Sequence, residues 1–174
     1  MIEYVNLSEC NSGELISILN SDEVRKHLMP HGKFDHESLA NWIKQKSVCD
    51  SLAGCRVRGI RIDQQLAGWC GIQFDEPGYE IAIVLAKPFW GYGKLVFETL
   101  RVWAREFGHS ELIIHLHESR PNYEFLSRLS NSKITKSTIS GSTFNSYRIS
   151  ANLPIEADLR KRTSPACSVA HGRR

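Results

Sequence analysis

Glu80-Ile81-Ala82-Ile83-Val84-Leu85-Ala86-Lys87-Pro88-Phe89-Trp90-Gly91-Tyr92-Gly93-Lys94 passes from an apolar run, through a proline, into a loop bearing two glycines. The run from Glu80 to Leu85 has the character of a buried strand. Beyond the loop, Val96, Leu100, Trp103 and Phe107 recur at i, i+4, i+7 and i+11, a single apolar helix stripe. Gly108 is placed to end that helix as the residue after its cap. A strand, a glycine-bearing turn and a helix start direct free backbone N–H groups and the positive end of the helix dipole at one point. That point suits a phosphate. The loop lacks the third glycine of a dinucleotide fingerprint and the Gly-Lys-Ser/Thr ending of a nucleoside-triphosphate loop.

Outward from this stretch, the 174 residues make about one domain. A chain of this size buries about two-thirds of its surface, so neither disulfides nor metals are required. Apolar content of 41% and charged content of 24% are those of a globular protein. No apolar run approaches the ~20 residues of a membrane span. The start, Met1-Ile2-Glu3-Tyr4-Val5, has no basic segment followed by an apolar one, and the expectation is a cytoplasmic protein. Cys10, Cys49, Cys55, Cys70 and Cys167 are odd in number and never spaced C-x-x-C, which reads as free thiols. From Ile155 onward, five basic residues outnumber Glu156 and Asp158. That segment therefore carries the whole net charge of +3 and the body is neutral, against a broad nucleic-acid surface.

Before the decisive stretch, residues 2–7 read as an edge strand and 13–19 as a helix entered through Asn11-Ser12-Gly13. A short helix follows to Leu28, stopped by Pro30. Asp35 is a good N-cap for a helix to about Val48, along which Leu39, Trp42, Ile43 and Lys46 share helical spacing. Cys55–Ile62, Leu66–Phe74 and Tyr79–Leu85 then read as an antiparallel meander, with turns at Asp63-Gln64-Gln65 and Asp75-Glu76-Pro77-Gly78. After the long helix, Glu111 to Leu116 is a buried strand type, so 80–116 implies a parallel crossover. Ser119 is expected to cap a helix from about Pro121 to Leu129. Lys133–Ser140 and Thr143–Ala151 form a terminal hairpin about Gly141-Ser142. The domain is expected over 1–153, with 154–174 a basic, flexible tail.

This order resembles the GNAT acetyltransferase superfamily over residues 1–151. Glu80 to Leu85 resembles the fourth strand of the branch containing ribosomal-protein N-terminal acetyltransferases, where a Glu opens the strand. Trp90-Gly91-Tyr92-Gly93-Lys94 resembles that branch's Trp-Gly-Lys-Gly loop, and Phe125-Leu126-Ser127-Arg128-Leu129 the family's late helix. The resemblance implies an α/β fold with a central, mixed, mostly antiparallel sheet of six to seven strands. It implies a splayed parallel pair and about four flanking helices. It implies acetyl-CoA as cofactor and a primary amine, on a small molecule or a protein, as acceptor, with direct transfer in a ternary complex. Membrane and nucleic-acid partners are not expected; a homodimer is compatible with the resemblance.

The physical reading assigns parts to that expectation. Backbone N–H groups of Gly91, Tyr92, Gly93, Lys94 and Leu95, beside Trp90, would hold the pyrophosphate, where a Cβ would obstruct close approach. The strand end at Val84, Leu85 and Ala86 would pair with the pantetheine arm as an added strand does. Asn122 stands near the place of the family's asparagine, although alignment on Phe125-Leu126 puts Ser119 there. Leu95 and Ser130 replace residues that are small in the family. Amide formation needs a base and a proton for the thiolate: Glu80 leads for the base, Glu118 is second, and Tyr123 is the available acid. Glu80 also reads as a rim carboxylate, Tyr147 as packing, and Trp42 and Trp69 as either pocket or core. His115 and His117 share a strand face, but no third ligand accompanies them and no metal is expected. Residues 20–50 and the final hairpin shape the acceptor pocket in that family, and no acidic cluster is present for a polycation. Two further readings fit the residues: a CoA-binding relative with little catalysis, and a toxin-like acetyltransferase of aminoacyl-tRNA suggested by the basic tail.

Overall fold

Strands β1 (Ile2–Val5), β2 (Arg56–Ile62), β3 (Gln65–Asp75), β4 (Gly78–Leu85), β5 (Glu111–His117), β6 (Thr135–Ile139) and β7 (Ser142–Ser150) form one sheet in the order β1-β2-β3-β4-β5-β7-β6. This computed structural model describes residues 1–76, 78–130 and 134–152. Pro77, the start of the terminal hairpin and the expected tail lie outside the described residues. Every neighbouring pair is antiparallel except β4 and β5. Five α-helices flank the sheet among the described residues: α1 (Ser12–Asn20), α2 (Asp22–Arg25), α3 (His36–Asp50), α4 (Gly93–Glu106) and α5 (Glu124–Leu129). The mixed seven-stranded sheet and its parallel pair match the expected fold class.

Local chemistry accounts for the boundaries. Asn11 accepts the Glu14 N–H at the start of α1, and Asp35 and Ser38 form a reciprocal capping box at α3. Gly108, at φ +79°, ends α4 in the left-handed region where a Cβ is costly. Ser140 and Gly141 have positive φ and make the tight turn between β6 and β7.

Two apolar layers hold the sheet between the helices. One packs α4 and α5 on one face through Ile72, Ile81, Phe97, Leu100, Leu126 and Tyr147. The other packs α1 to α3 on the opposite face through Leu15, Leu19, Leu39, Val57, Trp69 and Val84. The buried face of α4 differs from the expected stripe. Its centre is Val96, Phe97, Leu100, Arg101 and Ala104, while Trp103 and Phe107 lie at the margin beneath the Arg56 guanidinium, 5.0 and 4.7 Å from their ring centres. An aromatic ring there covers apolar surface and still meets a cation, so the seam rotates toward the smaller residues.

The sheet is closed on one side of β4 and open on the other. β3 pairs with β4 from Gly68↔Leu85 to Asp75↔Gly78. β5 pairs with β4 only at Glu80↔Ile113 and Ile81↔Ile114, although β5 stays paired with β7 through His117. Both strands therefore remain strands while they part. Opposite the parting, the β2–β3 register shifts between Ile60 and Arg61. Gly68 there has φ +151°, and an added Cβ would fall 1.9 Å from the Val84 carbonyl oxygen.

Candidate functional site

The gap between β4 and β5 opens into a cavity of about 1030 Å³. It follows β4 from Glu80 to Leu85 and ends at the start of α4, with Trp90, Gly91, Gly93 and Lys94 at that end. Period-two alternation decides which side chains face it from the sheet. Gln73 on β3, Glu80 on β4 and His115 on β5 share the face that α3 covers.

Glu80 is half-buried, and its pKa is pushed up to about 7. Burial is the main cause and repulsion from Asp75 adds to it; Lys46 opposes both. A carboxyl in that range exchanges a proton near neutrality. Lys46, on α3, donates to the Gln73 side-chain oxygen and lies over the rings of Trp42 and Trp69, at 5.7 and 5.0 Å. Burial holds its pKa below the usual lysine value. Phe34, Trp42 and Trp69 stand edge to face, with centroids 6.0 and 5.3 Å apart, and wall this side of the cavity.

Across the gap, His115 Nδ1 lies 2.6 Å from Ser146 Oγ, which lies 2.9 Å from Ser137 Oγ. Burial lowers the His115 pKa, favouring the neutral ring. Beyond β5, Ser119 does not cap α5. Its hydroxyl is 2.7 Å from both His27 Nδ1 and His117 Nδ1, and contacts the Lys26 carbonyl. A hydroxyl so engaged is not free for N–H groups at a helix start, and α5 begins at Glu124 with Tyr123 as its uncapped N-cap. The Ser119 contacts tie the segment after α2 to the segment after β5 across the cavity mouth. Burial, then Arg120, lowers the His27 pKa to about 4, so the ring is neutral near pH 7. Trp90 completes this end: His27 packs against its ring at 5.6 Å, Arg120 lies over it at 5.3 Å, and its indole N–H donates to the Leu85 carbonyl at 2.9 Å.

The expected glycine turn is a 3-10 segment, Lys87–Tyr92, with Pro88 in its first turn, leading straight into α4. Proline fixes φ near the helical value, so the turn winds before the glycines are reached. The Gly93 N–H bonds to the Trp90 carbonyl and is not a free donor. Leu95 and Tyr92 are exposed and do not line the cavity. Beyond the adjoining residues and the helix's own backbone, no heavy atom lies within 4 Å of a Cβ built on Gly91 or Gly93. The protein itself thus leaves room at both positions. At the strand end, Val84 and Leu85 line the cavity. The Ala86 N–H bonds to Ala67 and the Leu85 carbonyl to Trp90. The unpaired edge therefore lies upstream, over Ala82 to Val84.

The cavity brings together Glu80, Tyr123, Val84, Leu85, Trp90, Gly91, Gly93 and Lys94. Glu118 and Asn122 are exposed, are not among its lining residues, and stand apart from Glu80. Tyr147 is core. Trp42 and Trp69, left open between pocket and core by the sequence, serve both. Lys46, Gln73 and the His27–Ser119–His117 cluster were not anticipated. The signal for Lys46 was present: a lysine on the helix stripe of Leu39, Trp42 and Ile43 is a charge where the pattern calls for an apolar residue. Among the described residues, no group of three or more His, Cys, Asp or Glu could hold a metal. No helix among them is long and apolar enough to cross a membrane. Cys10, Cys49, Cys55 and Cys70 are free thiols.

The sequence matches no family model and no curated protein. The fold matches solved structures. The Salmonella typhimurium acetyltransferase that modifies the N-terminal serine of 50S ribosomal subunit protein L7/L12 superposes with TM-score 0.65 at 14% identity, covering 84% of this chain and 92% of that one. The putative acetyltransferase yncA of Salmonella typhimurium, with its cofactor acetyl-CoA, gives 0.61 at 10% identity, covering 88% and 95%. Campylobacter jejuni N-acetyltransferase PseH, in complex with acetyl coenzyme A, gives 0.55 at 16%, covering 86% and 99%.

Proposed function

We propose that this chain, whose fold is that of the GNAT acetyltransferases, is an acetyl-CoA-dependent N-acetyltransferase. One observation carries the reading: a half-buried carboxyl with a pKa of about 7 stands in the cavity where the parallel strands part. The residues present fit acetyl-CoA. The β4 edge beyond Ile81 lacks a β5 partner, and Gly91 and Gly93 leave space that a side chain would fill. Lys94 and Arg120 supply positive charge at that end. The acetyl-CoA bound to two structural neighbours belongs to the same reading.

When bound, acetyl-CoA supplies an activated acetyl group and a thiolate leaving group. Glu80, as carboxylate, takes the proton that the acceptor nitrogen must shed. Tyr123, at the rim, is the group we assign to return a proton to the departing sulfur. Phe34, Trp42 and Trp69 give the reacting centre an apolar wall. The β4 edge over Ala82 to Val84, with Trp90, Gly91, Gly93 and Lys94, would hold the cofactor, and α3 with β3 would hold the acceptor.

The test is thiol release from acetyl-CoA over a panel of primary amines, with Glu80→Gln beside the wild type. Amine-dependent release that this substitution suppresses supports the reading; release unaffected by it removes Glu80 from the base role. A CoA-binding protein with little turnover is the second reading, favoured by the exposed Glu118 and Asn122 and the engaged Ser119 hydroxyl. It predicts cofactor binding with no amine-dependent release.

A further inference from the structure

We infer that the acceptor is a free α-amino acid with a large apolar side chain, its carboxylate held by Lys46 and Gln73; this rests on the acetyl-transfer reading above. Lys46 has no carboxylate within ion-pair reach among the described residues. Its only hydrogen bond among the described residues is to the Gln73 amide oxygen. A cation taken out of water costs free energy unless an anion compensates it. Here the chain supplies two aromatic faces and one neutral oxygen instead. Glu80 feels Lys46 only as the weakest of its three influences, behind burial and Asp75. The two groups attract each other, yet no ion pair forms between them among the described residues.

Gln73 adds a second donor. Its oxygen must face the ammonium, which fixes the amide and leaves the NH2 group without a partner among the described residues. Gln73 is the cross-strand partner of Glu80, and the next pair on that face, Gly71↔Ala82, is small. Trp69 and Val84 follow one step further. Lys46, reaching both the Gln73 oxygen and the Trp69 ring, therefore stands by the small pair and within electrostatic reach of Glu80, with no ion pair between them among the described residues. That is the order in which an α-amino acid presents its groups: an amine to the carboxyl, a carboxylate to the ammonium and amide, and a side chain to Phe34, Trp42 and Trp69. A plain amine leaves Lys46 and Gln73 unsatisfied. A peptide N-terminus has an amide carbonyl where the carboxylate should be, which satisfies a cation less well.

Three acceptors with one side chain decide the matter: L-phenylalanine, L-phenylalaninamide and phenethylamine. Each is assayed by thiol release with acetyl-CoA, and by tryptophan fluorescence with and without coenzyme A. We expect kcat/KM for the free amino acid to exceed the other two by about 10- to 100-fold, as loss of a charge-assisted contact predicts. Saturable fluorescence change is expected for the amino acid at concentrations where the amide gives none. Lys46→Met collapses the preference and Lys46→Arg restores part of it. Gln73→Leu, which narrows the preference without removing a charge, serves if Lys46→Met does not fold. Equal use or equal binding of the amide or the amine overturns the inference and leaves acetyl transfer standing, as does a preference that survives Lys46→Met. Fluorescence binding that discriminates, with no thiol release from any acceptor, supports the carboxylate site and removes the acetyl-transfer reading instead.

Discussion

The two walls of the cavity are built in opposite ways. One is a single stretch of chain, Glu80 to Lys94, folded as strand, 3-10 turn and helix start. The other is assembled at a distance, from Phe34, Trp42 and Lys46 about α3, Trp69 and Gln73 on β3, and His115 on β5. The contiguous wall is set by backbone geometry: an unpaired strand edge and two open glycine positions. The assembled wall is set by side chains meeting on one sheet face, a face fixed by strand register. On the proposed function, recognition of the cofactor and choice of the acceptor fall to separate residues, and substitutions should separate them. Glu80 belongs to both walls, since it opens the contiguous stretch and faces the assembled one.

The largest effect is expected at that junction. Glu80→Gln should lower kcat by about 10²- to 10⁴-fold, as removal of a general base does, while calorimetry shows acetyl-CoA affinity retained. A variant that instead loses affinity would put Glu80 on the cofactor side alone. Next, Gly93→Val should weaken acetyl-CoA binding about 10- to 100-fold. The melting temperature should hold, because beyond the adjoining residues and the helix's own backbone no heavy atom lies within 4 Å of the added Cβ. Trp42→Ala, on the other wall, should raise the acceptor KM and leave acetyl-CoA binding in place. If both substitutions change the same constant, the walls are not separable.

A smaller effect comes from pH. In the proposed mechanism Glu80 acts as carboxylate, and its pKa is about 7. The rate kcat/KM should therefore rise with pH up to about 7 and level above it, and Glu80→Gln should lack that limb. The smallest effect is on stability. The folded pKa of about 7 stands above the ordinary 4.5. Between those values the folded protein holds a proton that the unfolded chain has lost, so stability falls as pH rises through that window. Melting curves of the wild type should decline there relative to those of Glu80→Gln, and parallel curves would mean that Glu80 is not buried as described.

The sequence made the contiguous wall legible and the assembled one mostly not. A strand, loop and helix in 28 residues leave a local pattern, and Glu80 could be picked from its place at the strand's start. The winding of Lys87–Tyr92 was missed because Pro88 promotes it before the glycines act. Ser119 was read as a helix cap because, besides the nearby His117, its hydroxyl meets His27 and Lys26, about 92 residues away in sequence. The pairing of Lys46 with Gln73 crosses 27 positions, and only the lysine's misfit on its helix stripe marked it. Alternation did place His115 and His117 on one face of β5; register, which decides which faces coincide, came from the packed sheet.

Titration of the full chain with acetyl-CoA in a calorimeter tests the central claim most directly. Saturable binding of one equivalent, weakened by Gly93→Val and retained by Glu80→Gln, is the predicted result. No heat and no thermal shift at millimolar acetyl-CoA would contradict it.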